Sequence, residues 1–438
     1  SHAYNKKMNR RMEMLYRRAE WMTVMGALAQ GGSEEDGFTA EDAAGNSQAE
    51  NMAEDVRRAD GKLAKAEQEK LTKGWKLLLT NQFHDIIPGS SVHDVYEDSR
   101  KDYERIERTA AEVQEDFYDA VLEKQENVWT VFNDSTWART GLVRLPDTGA
   151  KAYRDGSGNV LRWEKEGDGI YVEVRDVPGM GYETVEAVGA DIFGAVSAEP
   201  AFEVSGRKIA TPVYEISLNE CGQITRLYDR SFDREVIPEG ARANVFQMFE
   251  DKPLDFDAWD VDIFYQDKMR EITELTKFEV SSEGSLKMKV HLEWKYMNSR
   301  IEQDMILYGS SRRIDFRTRV DFHERQQLLK AAFPVNIRST YATYDVQYGN
   351  VRRPNNWNTS WDQAKFETVA HRWADLSERN YGVSILNDCK YGHDIKDNVM
   401  RITLIKSAIQ PDYLQDQGMH EFTYSLLPHA GDFVEGRT

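Results

Sequence analysis

His84 and Asp85 stand side by side in the string Leu77-Leu78-Leu79-Thr80-Asn81-Gln82-Phe83-His84-Asp85-Ile86-Ile87-Pro88-Gly89-Ser90-Ser91. An imidazole nitrogen and a carboxylate are donor types that hold a divalent metal such as zinc, and they are equally groups that grip hydroxyls. The same pair near a helix terminus also serves as a cap or as a hydrogen-bonded pair in a core, and residue type and spacing alone do not separate these readings. The preceding apolar run has helical spacing, Pro88 and Gly89 stop it, and Ser90 or Ser91 can cap a following helix. The pair is therefore expected at a rigid helix end, from which side chains project into a neighbouring site.

Three helices are predicted to hold that end. Over residues 4–30, Met8, Met12, Leu15, Ala19 and Met22 recur at spacings of four, three, four and three, a near-heptad stripe. Lys6, Lys7, Arg10, Arg11, Arg17 and Arg18 occupy the opposite side, a solvated face that could also meet an anion. Residues 31–60 turn to Gly, Ala, Ser, Asp and Glu with few apolar side chains, as in an exposed acidic insertion. Helical spacing returns over 62–84, and again over 91–125, where Val92, Val95, Ser99, Tyr103, Ile106, Ala110, Val113, Phe117 and Val121 keep the period. Three such stripes predict a three-helix bundle. From Val128 the period becomes two, and strands are predicted at 128–133, 171–174, 182–185, 214–218, 287–294, 305–308 and 314–320, with turns at Asp155-Gly156 and Asn219-Glu220-Cys221-Gly222. Many strands with hardly a helix between them imply sandwiches rather than a parallel α/β sheet. The expected architecture is multidomain α plus all-β. It comprises a bundle over 1–126, a small β domain over 127–205 and a large β-sandwich over 206–438, with a seam near 198–210.

A net charge of −19 over 438 residues leaves nothing to offset phosphate repulsion, so nucleic acid is excluded as the main partner. No run of 18 apolar residues exists, so no membrane span is expected. Cys221 and Cys389 cannot make a disulfide framework or a cysteine-rich zinc site, which fits a reducing, cytoplasmic compartment. His291, His323, His371, His393, His420 and His429 lack metal spacing and read as structural. Trp357, Trp361 and Trp373 could stack on sugar rings or fill cores and interfaces. Asn133-Asp134-Ser135 and Asn358-Thr359-Ser360 fit the glycosylation sequon, against which the cysteine usage argues.

The string Gln82 to Ser91, ending the second helix of a bundle, resembles the mid-domain signature of the family-38 glycoside hydrolases, the retaining α-mannosidases. Val177-Pro178-Gly179-Met180-Gly181-Tyr182 resembles the turn before that family's large sandwich. Leu227-Tyr228-Asp229-Arg230 and Phe249-Glu250-Asp251-Lys252-Pro253 are similar to its early strands. Tyr344-Asp345-Val346-Gln347-Tyr348-Gly349-Asn350-Val351-Arg352-Arg353-Pro354, His371-Arg372-Trp373-Ala374-Asp375-Leu376-Ser377 and Leu386-Asn387-Asp388-Cys389-Lys390-Tyr391-Gly392 resemble its bacterial and cytosolic branch.

The resemblance implies a large sandwich of the galactose-mutarotase-like supersandwich type. It also implies a divalent metal, usually zinc, with His84 as one ligand, and Asp85 as the carboxylate that binds mannose hydroxyls. Tyr348, Arg352, Asn387 and Asp388 are candidates for the border of the site. In this family the other metal ligands, the nucleophile and the acid/base carboxylate lie in an N-terminal α/β domain that this sequence does not contain. The chain is thus expected to be the middle and C-terminal part of an α-mannosidase acting on mannose-containing oligosaccharides, and to be inactive alone. A non-catalytic carbohydrate-binding or scaffold protein is the alternative, and homo-oligomerisation through the helices and acidic insertion is a third reading.

Overall fold

The computed structural model describes residues 2–31, 62–189, 201–281 and 284–437. The expected acidic insertion, apart from Gly31, and part of the expected seam near 198–210 lie outside the described residues.

Helix α1 spans Ala3–Gly31, α2 Lys62–Asn81 and α3 His93–Val121. Their apolar stripes meet in one core containing Met8, Met12, Tyr16 and Ala19 from α1, Leu71 and Leu78 from α2, and Tyr103, Ile106, Ala110 and Val113 from α3. Tyr16 takes the central place expected of Leu15, which is only partly buried. Its hydroxyl donates to Ile106 O at 3.0 Å, so the large ring costs no unpaired polar group.

Three helix ends differ from the sequence reading, one of them the end of α3, which stops at Val121 rather than 125 because Leu122 is extended. Helix α2 stops at Asn81 rather than continuing to 84, because Phe83 N bonds Thr80 O and tightens the last turn. Helix α3 starts at His93 behind Val92, which caps it without a side-chain hydrogen bond. Neither Ser90 nor Ser91 serves as the cap: the Ser91 hydroxyl turns back to Asp85 O at 2.5 Å. The apolar pattern of α3 accordingly begins at buried Tyr96, with Val92 exposed.

Helices α1 and α2 approach closely at Gly74, where a Cβ would lie 1.8 Å from the Tyr16 hydroxyl oxygen and 2.5 Å from Cζ. Alanine ordinarily gains about 1 kcal/mol over glycine inside a helix. Here the sign reverses, and Gly74→Ala is expected to destabilise the helical core by ~1–3 kcal/mol through overpacking. Chemical denaturation followed by far-UV circular dichroism checks this.

Period-two patterning then takes over. Strands Val128–Asn133, Gly181–Val188 and Ala152–Asp155 form one three-stranded sheet; Arg139–Pro146, Gly169–Val177 and Trp163–Glu166 form another. The two share a core in which Tyr153 and Val185 from the first meet Ile170 and Val172 from the second. Beyond residue 201 lie a five-stranded, a six-stranded and a nine-stranded antiparallel sheet. One continuous core unites them: Ile216 and Leu227 from the five-stranded sheet, Phe333 and Ile402 from the six-stranded, Phe316 and Tyr424 from the nine-stranded. Strands Val128–Asn133 and Tyr214–Leu218 have the expected bounds, and the other predicted strands lie inside longer ones, such as Lys287–Tyr296 and Ile314–Phe322. Among the described residues no helix is long and apolar enough to cross a membrane.

The helices touch both β regions. At one end Trp21 and Phe117 meet Phe132, with ring centroids 6.1 and 5.7 Å away. At the other end α1 lies against the large β region, where Lys7 and Arg10 depart from the expected solvated face that Arg11, Arg17 and Arg18 keep. Arg10 is buried, and Lys7 Nζ donates to Glu421 O at 2.6 Å.

Candidate functional site at the helix-end turn

The turn after α2 is fixed from three sides. Within it, Ile86 N and Ile87 N both bond Phe83 O, and Gly89 N bonds Ile86 O. Gly89 takes φ +90°, a conformation that favours glycine. From α1, Lys6 Nζ donates to Ile87 O at 3.0 Å and Pro88 O at 3.2 Å. Gln82 Nε2 reaches back to Asn9 Oδ1 at 2.9 Å and Glu13 Oε1 at 2.8 Å. From the α3 side comes the Ser91 hydroxyl bond to Asp85 O.

With the backbone held, the side chains of His84 and Asp85 are left outside. They are 73% and 49% exposed, with Nε2 and Oδ2 3.5 Å apart, and the Phe83 ring lies 4.2 Å from the imidazole. Among the described residues their side chains have no polar partner except each other. That excludes the cap and core readings and leaves the donors available to something outside the fold. Among the described residues no group of three His, Cys, Asp or Glu side chains could hold a metal. The pair fits a divalent metal in donor type, one nitrogen and one oxygen, but supplies at most half of a four-donor set.

The other candidate border residues have different situations. Tyr348 is fully exposed at φ +63°, on the turn between strands Tyr341–Val346 and Gly349–Pro354. The Arg352 guanidinium lies over the Tyr341 ring at 5.2 Å. Asn387 is fully engaged: Oδ1 accepts from Arg10 Nη1 at 2.6 Å and from Lys390 N, while Nδ2 donates to His371 O and Arg372 O. It is a bracket between α1 and the sandwich rather than a group free to meet a ligand. Asp388 Oδ2 accepts from Thr423 N at 2.9 Å, tying its turn to strand Gly418–Ala430. Trp361 is 80% exposed, whereas Trp373 stacks on Phe433 at 4.8 Å and Trp357 lies beneath Lys396 at 3.6 Å.

The residues that position this site were missed in sequence. Arg10 donates to Asn387 O, Asn387 Oδ1 and His371 O and lies 4.3 Å from the Tyr391 ring centroid. Asp345, in the strand leading to Tyr348, accepts from His371 N and Arg372 N. The first turns of α1 thus hold the His84–Asp85 turn on one side and the base of the Tyr348 hairpin on the other. The one sequence signal was the polar row Asn5, Lys6, Asn9, Arg10 and Glu13 beside the apolar stripe.

Burial pushes the Lys6 ammonium down to about 8, against a favourable Asp416 and an unfavourable Lys390. The unfolded chain holds that proton more tightly, so between about pH 8 and the ordinary lysine value of about 10.4 the unfolded state binds more protons and stability rises with pH. A neutral amine still has two N–H groups for the two carbonyls. Lys6→Met is expected to remove that rise, seen as the difference between wild-type and variant melting profiles across this range.

Residues 1–121 match the family model described as the alpha mannosidase middle domain, and residues 209–414 match the glycosyl hydrolases family 38 C-terminal domain. Together these stretches account for about three quarters of the chain. The chain belongs to glycosyl hydrolase family 38. His84 and Asp85 fall in the matched middle domain of this family-38 chain, and Tyr348, Arg352, Asn387 and Asp388 in its matched C-terminal domain.

Alpha-mannosidase 2C1 of Homo sapiens is 33% identical over 369 residues, covering 82% of this chain and 34% of the relative. An alpha-mannosidase of Saccharomyces cerevisiae is 30% identical over 370 residues, covering 82% and 30% respectively. The chain spans about a third of the length of these curated relatives. The crystal structure of an alpha-mannosidase from Enterococcus faecalis V583 has the same fold, with a TM-score of 0.70 at 16% identity over 98% of this chain and 54% of that one.

Proposed function

We propose that this chain is the middle and C-terminal part of an α-mannosidase, in which the helical region presents His84 and Asp85 to an active site completed by the remainder of a relative-length polypeptide. The observation that carries the reading is the exposed His84–Asp85 pair on a turn clamped from three sides, with no role inside the fold. In this reading residues 1–126 are a three-helix bundle, 127–205 a small β domain and 206–438 a galactose-mutarotase-like supersandwich.

A retaining glycosidase needs two carboxyl groups about 5–5.5 Å apart across the scissile bond. The family resemblance assigns Asp85 to accepting hydrogen bonds from sugar hydroxyls and orienting the ring, and its 49% exposed carboxylate is open to that part. His84 is the residue that would hold the divalent metal, zinc by the family resemblance, and when bound that ion would supply Lewis-acid polarisation of sugar oxygens. Phe83, 51% exposed beside the imidazole, offers an apolar surface to a sugar face. The substrate is an oligosaccharide with terminal α-linked mannose, cleaved with retention of configuration.

We place the protein in the cytoplasm. Supporting this, both cysteines are free, and Asn133 of the first sequon is buried with its amide donating to Trp137 O, Val177 O and Pro178 O. The test is release of mannose from α-linked oligosaccharides by this chain and by a relative-length polypeptide containing it. Turnover is expected only in the longer protein. Turnover by the 438-residue chain alone, or its absence in both, refutes the reading.

A further inference from the structure

The six-stranded sheet has a second face that the main core does not use. Strand Val245–Glu250 sends Phe246 and Met248 into that core and Val245, Gln247 and Phe249 to the other side. Strands Gln327–Pro334 and Val399–Ser407 alternate likewise, placing Ala332 and Arg401 beside them. Part of this second face is covered, since Phe249 and Leu328 pack with Tyr265, Val261 and Phe366. The rest is open as a cleft of about 480 Å³, within the roughly 300–1,000 Å³ usual for small-ligand sites.

The lining narrows the ligand class. Arg242 is already paired bidentately with Glu271, at 2.7 and 2.9 Å, and Arg401 Nε lies 3.0 Å from Asp394 Oδ1. Each guanidinium thus has a carboxylate beside it, which disfavours an anion, while Arg401 Nε makes no hydrogen bond among the described residues and is left as a donor. Gln247 lines it with a buried Oε1 that has no hydrogen-bond partner among the described residues. That atom needs a donor, and the neighbouring guanidinium and carboxylate groups offer donors and acceptors in fixed planes. Phe249 and the partly exposed Met269 add an apolar wall. A ligand matching this surface is neutral, carries several hydroxyls that both donate and accept, and has an apolar face.

We propose that this cleft binds a pyranose ring of a neutral saccharide, a second carbohydrate site remote in sequence from the His84 turn. It stands without the reading of that turn. The test is calorimetric titration of the 438-residue chain with methyl α-mannoside, methyl α-glucoside, methyl α-galactoside and, separately, sodium sulfate. Saturable millimolar binding of at least one glycoside is expected. Gln247→Met, close to isosteric, should weaken it about tenfold. Met269→Trp, at an exposed position on the rim, should block it, while His84→Ala should leave it unchanged. Melting curves establish that each variant is folded. Absence of saturable glycoside binding, binding of sulfate alone, unchanged affinity in either cleft variant, or loss of binding in His84→Ala would each overturn the proposal.

Discussion

Replacing His84 by alanine in a relative-length polypeptide is expected to remove the bound divalent metal and to lower α-mannosidase turnover by more than about 100-fold. The magnitude follows from ligand chemistry: even a residue that only orients a metal ligand is worth ~10–100-fold in affinity or activity, and a ligand is worth more. Stability should scarcely change, because the imidazole is 73% exposed and the turn is held by Lys6, Gln82 and Ser91. Asp85→Asn should separate from it. A carboxylate that grips hydroxyls can lose substrate affinity and turnover while the metal stays. Metal analysis together with steady-state rates of both variants distinguishes the two roles. A His84→Ala protein that keeps its metal and its rate would make the pair an ornament of the surface.

Lys330→Met is expected to destabilise the large β region by ~3–5 kcal/mol, because it leaves Glu367 without a cation and Asp394 with Arg401 alone. Lys330 lies in strand Gln327–Pro334, where Leu329, Ala331 and Phe333 enter the main core and Lys330 points to the covered part of the second face. Its ammonium is buried, 2.7 and 2.6 Å from the two Glu367 oxygens and 2.7 Å from Asp394 Oδ2. Burial works against the charge, but Asp394 and Glu367 outweigh it and hold the ammonium above the ordinary lysine range. Burial pushes the Glu367 carboxyl up despite Lys330. Tyr265 and Thr403 donate the remaining hydrogen bonds to Glu367, both at 3.1 Å. The apolar replacement removes the one group that answers both acids. Combining it with Glu367→Gln and Asp394→Asn should recover much of the loss, since neutral groups tolerate burial better than unpaired charges. Urea denaturation of the single and triple variants, followed by tryptophan fluorescence, measures both effects.

The sequence announced its elements through period and concealed its polar interior. Met8, Met12 and Ala19 mark α1 by helical spacing, and Tyr214–Leu218 alternates as a strand should, because in both cases the pattern and its consequence are local. Arg10 looked like a solvated cation because its partner Asn387 lies 377 residues away. Lys330 sits in the run Gln327-Leu328-Leu329-Lys330-Ala331-Ala332-Phe333, and the acids that justify it are 37 and 64 residues on. Ser91 was read as a cap from its type, whereas its hydroxyl closes the turn on Asp85 O. For the site, the donor types of His84 and Asp85 were legible. What the sequence could not show is that neither side chain is used within the fold, which is a matter of geometry.

The central claim is that the helical region delivers His84 to a metal. Anomalous diffraction at the zinc edge, from crystals of a relative-length polypeptide containing this chain, tests it most directly. The expected result is an anomalous peak about 2.0–2.1 Å from an imidazole nitrogen of His84, with Asp85 beside it and the other ligands drawn from outside residues 1–438. A metal bound elsewhere, with His84 facing solvent, would contradict the claim.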